Sequence, residues 1–229
     1  MEVSDLHPWE VSYKEAVRIQ AKLRDKVNLQ TIDKKIEYIA GLDVSYEKKS
    51  NKMWAGVVVL GFASLNRAEE RLSQREVSFP YIPGLLSFRE IPVLLDALRK
   101  VEIEPDIIFC DGQGIAHPRG LGLASHLGVL LQKPTIGCAK SRLVGAHNEV
   151  GESKGNWAYL IYQNRIVGAV VRTKSNVKPM YVSQGYGVAF DDCIKFVLET
   201  CSDYRIPEPT RQAHFLVNTV RARILSGRI

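Results

Sequence analysis

The chain has 229 residues, of which 45% are hydrophobic and 24% are charged, a composition typical of a folded globular protein and not of a disordered one. No apolar run is long enough for a membrane span, and the N-terminal residues lack the pattern of a signal peptide. The formal net charge of +6 favours a polyanionic partner such as nucleic acid, although charge alone is a weak signal.

No internal repeat or long linker divides the sequence, so we expect a single domain that spans residues 1–229. The four cysteines form no C-x-x-C pair and no zinc-binding spacing; they are Cys110, Cys138, Cys193 and Cys201. Cys110 and Cys138 lie in apolar runs, where cysteine usually packs as a small hydrophobe. We therefore expect a reducing, cytoplasmic setting and no attachment to a membrane.

The first half of the chain is predicted to contain three strands. Side chains alternate between two faces over residues 37–46, a second, valine-rich strand is predicted at 53–62, and a third lies within 71–79. Because the connections between these segments are short, we expect the three strands to pair antiparallel.

Helices and strands alternate after residue 90. The predicted elements are, in order, a helix with Ile91, Leu94, Leu95 and Leu98 on one face, a buried strand at 106–111, a helix at 121–131, a buried strand at 134–139, a hairpin of strands at 157–162 and 165–173, and two closing helices, the second with Pro209 in its first turn. This order predicts an α/β fold with a mixed sheet, three antiparallel strands followed by parallel strands, and helices on both faces. It is the element order of the ribonuclease H-like fold.

Three carboxylates are candidates for a functional site. Asp43 lies in the middle of a predicted strand, where aspartate is depleted, although the solvated face of an edge strand would also accept it. Asp111 ends an apolar run, and ligands bind at the carboxyl ends of parallel strands, but an aspartate there also commonly caps a turn. Glu90 completes a capping-box pattern that begins at Ser87, yet Pro92 would then delete a hydrogen bond inside the helix.

Carboxylates that converge repel one another and raise each other's pKa unless a cation lies among them. Oxygen ligands suit a hard ion, so the expected metal is Mg²⁺, with Mn²⁺ as a substitute, and not zinc or copper. Such an ion next to a phosphodiester polarises the phosphoryl oxygen and helps to generate hydroxide from water.

The proline loop, residues 79–84, has the sequence Phe-Pro-Tyr-Ile-Pro-Gly, in which two prolines stiffen a predicted surface segment. Tyr81 and Ile82 are candidates for an apolar wedge that enters the base stack of a nucleic acid. Composition alone favours the alternative that the loop packs Tyr81 into the core. Lys140 follows the buried strand at 134–139 and lies at the same end of the sheet as Asp111 if the two strands are parallel.

Six ordered blocks together resemble the endonuclease V family: Gly-Leu-Asp-Val-Ser-Tyr (41–46), Phe-Pro-Tyr-Ile-Pro-Gly-Leu-Leu-Ser-Phe-Arg-Glu (79–90), Asp-Gly-Gln-Gly-Ile-Ala-His-Pro-Arg (111–119), Gly-Leu-Ala-Ser-His-Leu-Gly (122–128), Gly-Cys-Ala-Lys-Ser-Arg-Leu (137–143) and Arg-Ile-Pro-Glu-Pro-Thr-Arg-Gln-Ala-His (205–214). The resemblance covers nearly the full chain. It implies a ribonuclease H-like fold and a metal site at Asp43 and Asp111, with Glu90 close by. It also implies that His214 lies beside the metal and positions a water, and that Lys140 faces a phosphate.

The same resemblance implies how a lesion is recognised. The segment Pro80, Tyr81, Ile82 and Pro83 matches the strand-separating wedge of the family. A pocket for the flipped hypoxanthine base is expected to be lined by Gly84, Leu86, Gly112 and Leu123. We also expect His117, in the block after Asp111, to bind substrate, although a histidine taken singly is more often solvated or satisfied in the core.

The implied activity is a magnesium-dependent endonuclease of DNA repair that acts on inosine. It would cut the second phosphodiester bond 3′ to the lesion, leave 3′-hydroxyl and 5′-phosphate ends, and act as a monomer. The alternatives are a ribonuclease H-like nuclease specific for structure, an inosine-specific ribonuclease, a glycosylase, and a catalytically silent nucleic-acid-binding protein. Carboxylates near a phosphate path weaken binding without a metal, which argues against the silent protein.

Overall fold

The structure is a computed structural model that describes residues 1–47 and 50–227. The strands are β1 (Tyr38–Tyr46), β2 (Lys52–Gly61), β3 (Arg67–Glu76), β4 (Ile107–Cys110), β5 (Thr135–Ala139), β6 (Trp157–Tyr162), β7 (Arg165–Val171) and β8 (Met180–Tyr186). The helices are α1 (Tyr13–Arg24), α2 (Leu86–Leu98), α3 (Leu123–Leu131), α4 (Phe190–Glu199) and α5 (Glu208–Leu225). The strands form one sheet in the order β3-β2-β1-β4-β5-β8-β7-β6.

The centre of the sheet confirms the predicted ribonuclease H-like arrangement. Strands β1, β2 and β3 form an antiparallel meander, β4 pairs parallel with β1, and β5 pairs parallel with β4. The third strand begins at Arg67, earlier than the predicted interval of residues 71–79. Its exposed polar side chains alternate only weakly with buried ones, which explains the error in its position.

The outer part of the sheet is antiparallel and was only partly predicted. The hairpin of β6 and β7 is confirmed, and its turn residues Gln163 and Asn164 both have positive φ, at 50° and 59°, as a two-residue hairpin turn requires. Strand β8 was not predicted; it joins this hairpin to β5 and is antiparallel to both neighbours. The sequence analysis also missed α1, whose start carries a capping box between Ser12 and Glu15.

Helices cover both faces of the sheet, as predicted. The side chains of β4 alternate between two cores: Ile108 and Cys110 pack with α2 and α3, whereas Ile107 and Phe109 pack with α4 and α5. This burial on both faces explains why β4 has a continuous apolar sequence. Helix α5 begins at Glu208, which confirms the placement of Pro209 in its first turn. Within residues 1–47 and 50–227, no helix has the length and apolar character that crossing a membrane requires.

Candidate active site

Two aspartates lie side by side at the end of the central parallel strands. In the register of β1 and β4, Leu42 is opposite Cys110, so the next residues of the two segments are Asp43 and Asp111. One ligand atom from each aspartate and one from His214 all lie within 4.8 Å of one another. The structure therefore brings together three residues that are far apart in the sequence and that offer oxygen and nitrogen donors to a metal ion.

His214 reaches this place because α5 rests directly on β1. A Cβ atom on Gly41 would lie 2.0 Å from the carbonyl carbon of Pro209, so any larger residue there would push the start of α5 away from the sheet. Further along α5, Nδ1 of His214 lies 2.8 Å from Oδ2 of Asp43. The helix is fixed next to this contact because the Ser45 hydroxyl donates a hydrogen bond of 2.9 Å to Oδ1 of Asn218.

The charge balance of this site disfavours the ionised form of Asp43. Burial raises the pKa of Asp43, and repulsion from Asp111 raises it further, while His214 and Lys140 act in the opposite direction. A divalent cation between the carboxylates would reverse this balance, because its attraction to the ionised forms exceeds their mutual repulsion. The site therefore has the electrostatic character of a metal centre.

Glu90 belongs to the same site. It shares a cavity of about 200 Å³ with Asp43 and Asp111, and burial, together with repulsion from both aspartates, raises its pKa to about 8. We call Asp43, Glu90 and Asp111 the carboxylate cluster. The three come from β1, α2 and the end of β4, so the cluster lies where these elements meet.

The capping-box interpretation of residues 87–90 is wrong. Helix α2 begins at Leu86, its N-cap residue is Leu85, and no side chain caps it. The Ser87 hydroxyl instead lies 3.0 Å from Nδ1 of His126 in α3. The helix begins before Ser87 and continues through Pro92. Glu90, freed from any capping role, is one turn into the helix and turned toward Asp43 and Asp111.

Lys140 lies next to Asp111, as the parallel pairing of β4 and β5 requires. Cys110 is opposite Gly137, so both chains emerge at the same edge of the sheet, and the Lys140 ammonium donates a hydrogen bond to Oδ2 of Asp111. Arg205 supports this segment, because its Nη2 donates to the Lys140 carbonyl oxygen at 2.8 Å. The sequence analysis did not single out Arg205.

A cavity of about 360 Å³ opens beside the carboxylate cluster, with Asp111 and Lys140 in its wall. Most of the residues predicted to bind substrate line this cavity: Tyr81, Ile82, Pro83, Gly84, Leu86, Gly112, His117 and Leu123. Pro80 is exposed and is not among the lining residues. The proline loop thus forms one wall of a pocket whose opposite wall reaches the candidate metal site.

Tyr81 projects into solvent and is 71% exposed, so the alternative that the loop packs it into the core is wrong. Ile82 is partly buried and packs against the core that contains α2. The proline loop therefore carries an exposed aromatic ring on a backbone segment that is held rigid by prolines and by packing, an arrangement compatible with a wedge.

His117 contacts the proline loop through its ring. Its Nε2 lies 3.0 Å from the carbonyl oxygen of Gly84, and its Nδ1 accepts a hydrogen bond of 3.2 Å from the amide of Arg119. Burial and the Arg119 guanidinium lower the pKa of His117 to about 4, so the ring is neutral near pH 7 and donates through Nε2. Both ring nitrogens are thus engaged within the protein.

Gln20 of α1 also lines the cavity and was missed. A signal for it exists in the sequence: Ser12 and Glu15 mark a helix start, and Ala16, Gln20 and Leu23 form its buried stripe. A glutamine in such a stripe is a buried polar group, which requires hydrogen-bond partners from elsewhere in the fold.

Comparison with known proteins identifies the family. Residues 21–215 match the family model described as endonuclease V. Endonuclease V of Trichormus variabilis is 50% identical over 219 residues, which cover 95% of this chain and 99% of that protein.

Solved structures agree with this match. Endonuclease V of Streptomyces avermitilis superposes with a TM-score of 0.91 at 40% identity, and the match covers 98% of this chain and 100% of that one. A variant of Ciona intestinalis endonuclease V, in complex with a 23mer DNA containing an inosine followed by a ribo-adenosine, superposes with a TM-score of 0.83 at 30% identity, covering 93% of this chain and 100% of that one. The chain therefore belongs to the endonuclease V family.

Proposed function

We propose that this endonuclease recognises inosine in DNA and hydrolyses the second phosphodiester bond on its 3′ side, leaving 3′-hydroxyl and 5′-phosphate ends for repair. One observation carries the proposal: Asp111 belongs both to the candidate metal site and to the wall of the 360 Å³ cavity, and Lys140, which donates to Asp111, lines the same wall. A pocket that adjoins a phosphate-cutting site suits an enzyme that reads an extruded base and cuts the same strand nearby. The DNA in the Ciona intestinalis complex contains inosine, which supports the choice of base.

The proposed cofactor is Mg²⁺, with Mn²⁺ as a substitute. The donors of Asp43, Asp111 and His214 lie within 4.8 Å of one another, and Glu90 is in the same cavity. The carboxylate oxygens suit these ions, and the imidazole of His214 lies beside them. The raised pKa values of Asp43 and Glu90 support a cation at this place. When bound, the cation polarises the scissile phosphate and promotes the ionisation of water.

The protein groups have separate roles in the proposed reaction. Asp43 and Asp111 would hold the cation, and Glu90 would position it or the attacking water from the adjoining cavity. His214, whose ring is exposed, would orient the water and accept its proton. Lys140 lies where its ammonium could donate to a phosphate oxygen in place of Asp111.

The cavity is the proposed pocket for the hypoxanthine base. Leu86 and Leu123 provide apolar walls. A Cβ atom on Gly112 would lie 3.1 Å from the side chain of Leu123, so a larger residue would crowd this wall. Because glycine has no side chain, a base can approach the backbone of Gly112 closely. The amide of Gly84 and the main chain of Gly112 read the base edge, and the ring of His117 forms part of the wall. Tyr81 fills the gap that the extruded base leaves, while Pro80 and Pro83 keep the proline loop rigid.

The decisive experiment is a cleavage assay in Mg²⁺ on matched strands that contain inosine or adenine at one position, with the product ends mapped. The expected result is cleavage of the inosine strand alone, at the second phosphodiester bond on the 3′ side of the lesion. Equal cleavage of both strands would favour a structure-specific nuclease, and an abasic site with an intact backbone would identify a glycosylase.

An inosine-specific ribonuclease is the second candidate, because the DNA in the Ciona intestinalis complex carries a ribo-adenosine after the inosine. The same assay on RNA of matched sequence compares the two, since only contacts to the 2′-hydroxyl distinguish the backbones. We further propose a single-domain monomer that works in the cytoplasm, a reducing setting that suits four buried, unpaired cysteines.

A further inference from the structure

The carbonyl oxygen of Gly84 is held by side chains from two other parts of the fold. Nε2 of Gln20 donates to it at 3.0 Å, Nε2 of His117 donates at 3.0 Å, and Nη2 of Arg119 donates as well. A carbonyl oxygen has two lone pairs, so three donors leave it saturated. We call Gln20, His117 and Arg119 the Gly84 clamp.

Gln20 is the member that links the clamp to α1. Its side chain is 1% exposed, and its amide group is fully used. Besides Gly84, Nε2 donates to the carbonyl oxygen of Leu121 at 3.2 Å, and Oε1 accepts from Nε of Arg119. A buried amide with every hydrogen bond satisfied holds its partners in one geometry, because moving any of them leaves a buried polar group unpaired.

Gly84 is the point at which such a clamp controls the proline loop. It has a φ of +77°, ends the loop that carries Tyr81, and precedes α2, which carries Leu86 and Glu90. The amide of Leu85 donates to the Ile82 carbonyl at 2.9 Å, so the turn between them is closed. A fixed Gly84 carbonyl therefore sets the direction of the loop on one side and of the pocket wall on the other.

We propose that Gln20 is a positioning residue for lesion recognition, which acts through Gly84 and does not itself contact the nucleic acid. It holds the proline loop in the orientation from which Tyr81 enters a duplex. The inference rests on the proposed function for the role of Tyr81.

The test compares Gln20→Leu with Thr200→Val, a matched control. Thr200 is buried at the end of α4, where its hydroxyl donates to the Phe196 carbonyl at 2.7 Å, and it belongs to neither wall of the cavity. Both variants lose hydrogen bonds inside the protein. Cleavage rates are measured on inosine in a duplex and on inosine in a single strand, and hydrogen exchange is measured for the amides of residues 79–86.

Gln20→Leu is expected to lower the ratio of duplex to single-strand cleavage by about tenfold, the effect of leaving buried partners unpaired. Single-strand cleavage should fall less than duplex cleavage, because it needs the pocket but not the entry of Tyr81 into a duplex. Exchange at residues 79–86 is expected to rise, and exchange in β1 and β4 to stay unchanged. Thr200→Val should leave both the ratio and the exchange of these residues as in the wild type.

Two further variants keep the test informative if Gln20→Leu folds poorly. Gln20→Glu retains the acceptor for Arg119 but loses the donor to Gly84 and Leu121, so it should also lower the ratio. Arg119→Lys, at a half-buried position, keeps the charge but cannot bridge Gln20 and Gly84, and should change the ratio in the same direction.

The proposal is overturned if Gln20→Leu slows both substrates equally, as a purely structural loss would, or if exchange at residues 79–86 does not change. It is also overturned if Gln20→Glu behaves as the wild type. Should the wild-type enzyme show no preference for inosine, the proposed function fails, and the exchange measurement still decides whether Gln20 holds the proline loop.

Discussion

The metal-free protein should lose stability as the pH rises through neutrality, and Glu90 should be the cause. The ordinary pKa of this residue is 4.5, and burial with repulsion from Asp43 and Asp111 raises it to about 8. Between these values the folded protein retains a proton that the unfolded chain has released. The contribution of Glu90 to the free energy of unfolding therefore falls with rising pH by about 1.4 kcal/mol per pH unit and levels off above about pH 8.

The difference between the wild type and Glu90→Gln over the window from about pH 6.5 to about pH 7.5 isolates this effect. Burial lowers the pKa values of His7, His117 and His126, so these residues make stability rise with pH over the same window, and they do so in both proteins. Across the window, the wild type should lose about 1.4 kcal/mol relative to Glu90→Gln, which has no proton to lose at this position.

The measurement is urea denaturation in the presence of a chelator at the two pH values, repeated in excess Mg²⁺. Glu76→Gln is the control, because it removes one negative charge at an exposed position of β3. The metal should reduce the loss in the wild type, since it stabilises the ionised carboxylate in the folded state. Equal losses in the wild type and in Glu90→Gln would refute the reasoning, because Glu90 would then already be ionised at the lower pH.

Three other predictions follow from the site. Asp43→Ala should abolish cleavage in Mg²⁺ while binding to inosine-containing DNA stays measurable by gel shift; retained cleavage would reject Asp43 as a metal ligand. Tyr81→Ala should slow cleavage of inosine in a duplex more than in a single strand, and should leave the urea midpoint unchanged because the ring is 71% exposed; equal losses on both substrates would argue against a wedge. Gly41→Ala should lower the free energy of unfolding by about 3 kcal/mol or more, because its Cβ would meet the backbone of Pro209. Gly61→Ala is the control and should cost much less, because its Cβ would meet only the Ser64 hydroxyl, at 3.3 Å. Similar unfolding midpoints for the two variants would show that α5 does not rest on β1 as described.

The sequence predicted the part of the site that depends on local pattern and on strand direction. Asp43 interrupts an apolar strand, and Asp111 follows one. Because ligands bind at the carboxyl ends of parallel strands, the two aspartates were expected to lie close together. Lys140 followed from the same rule applied to β5. The family resemblance supplied the pocket residues, whose glycines and leucines have no distinctive pattern of their own.

The remainder depended on long-range contacts that local sequence does not encode. The pairing of β8 with β5 arises only from packing, and the proximity of His214 to Asp43, 171 residues away in sequence, was predicted only through the family resemblance. The sequence around Glu90 was compatible with a helix cap as well as with a metal site. The start of α2 at Leu86 excludes the cap. Gln20 was missed with its helix, although the Ser12 to Glu15 cap was readable.

The seating of α5 on Gly41 has a consequence for the order of events during synthesis. Asp43 and Asp111 emerge from the ribosome early, but the imidazole of His214 comes with the last helix, and it reaches Asp43 only after Pro209 has docked against β1. A nascent polypeptide thus carries two of the three donors without their partner. The complete trio forms only after residues 208–214 of α5 have been translated.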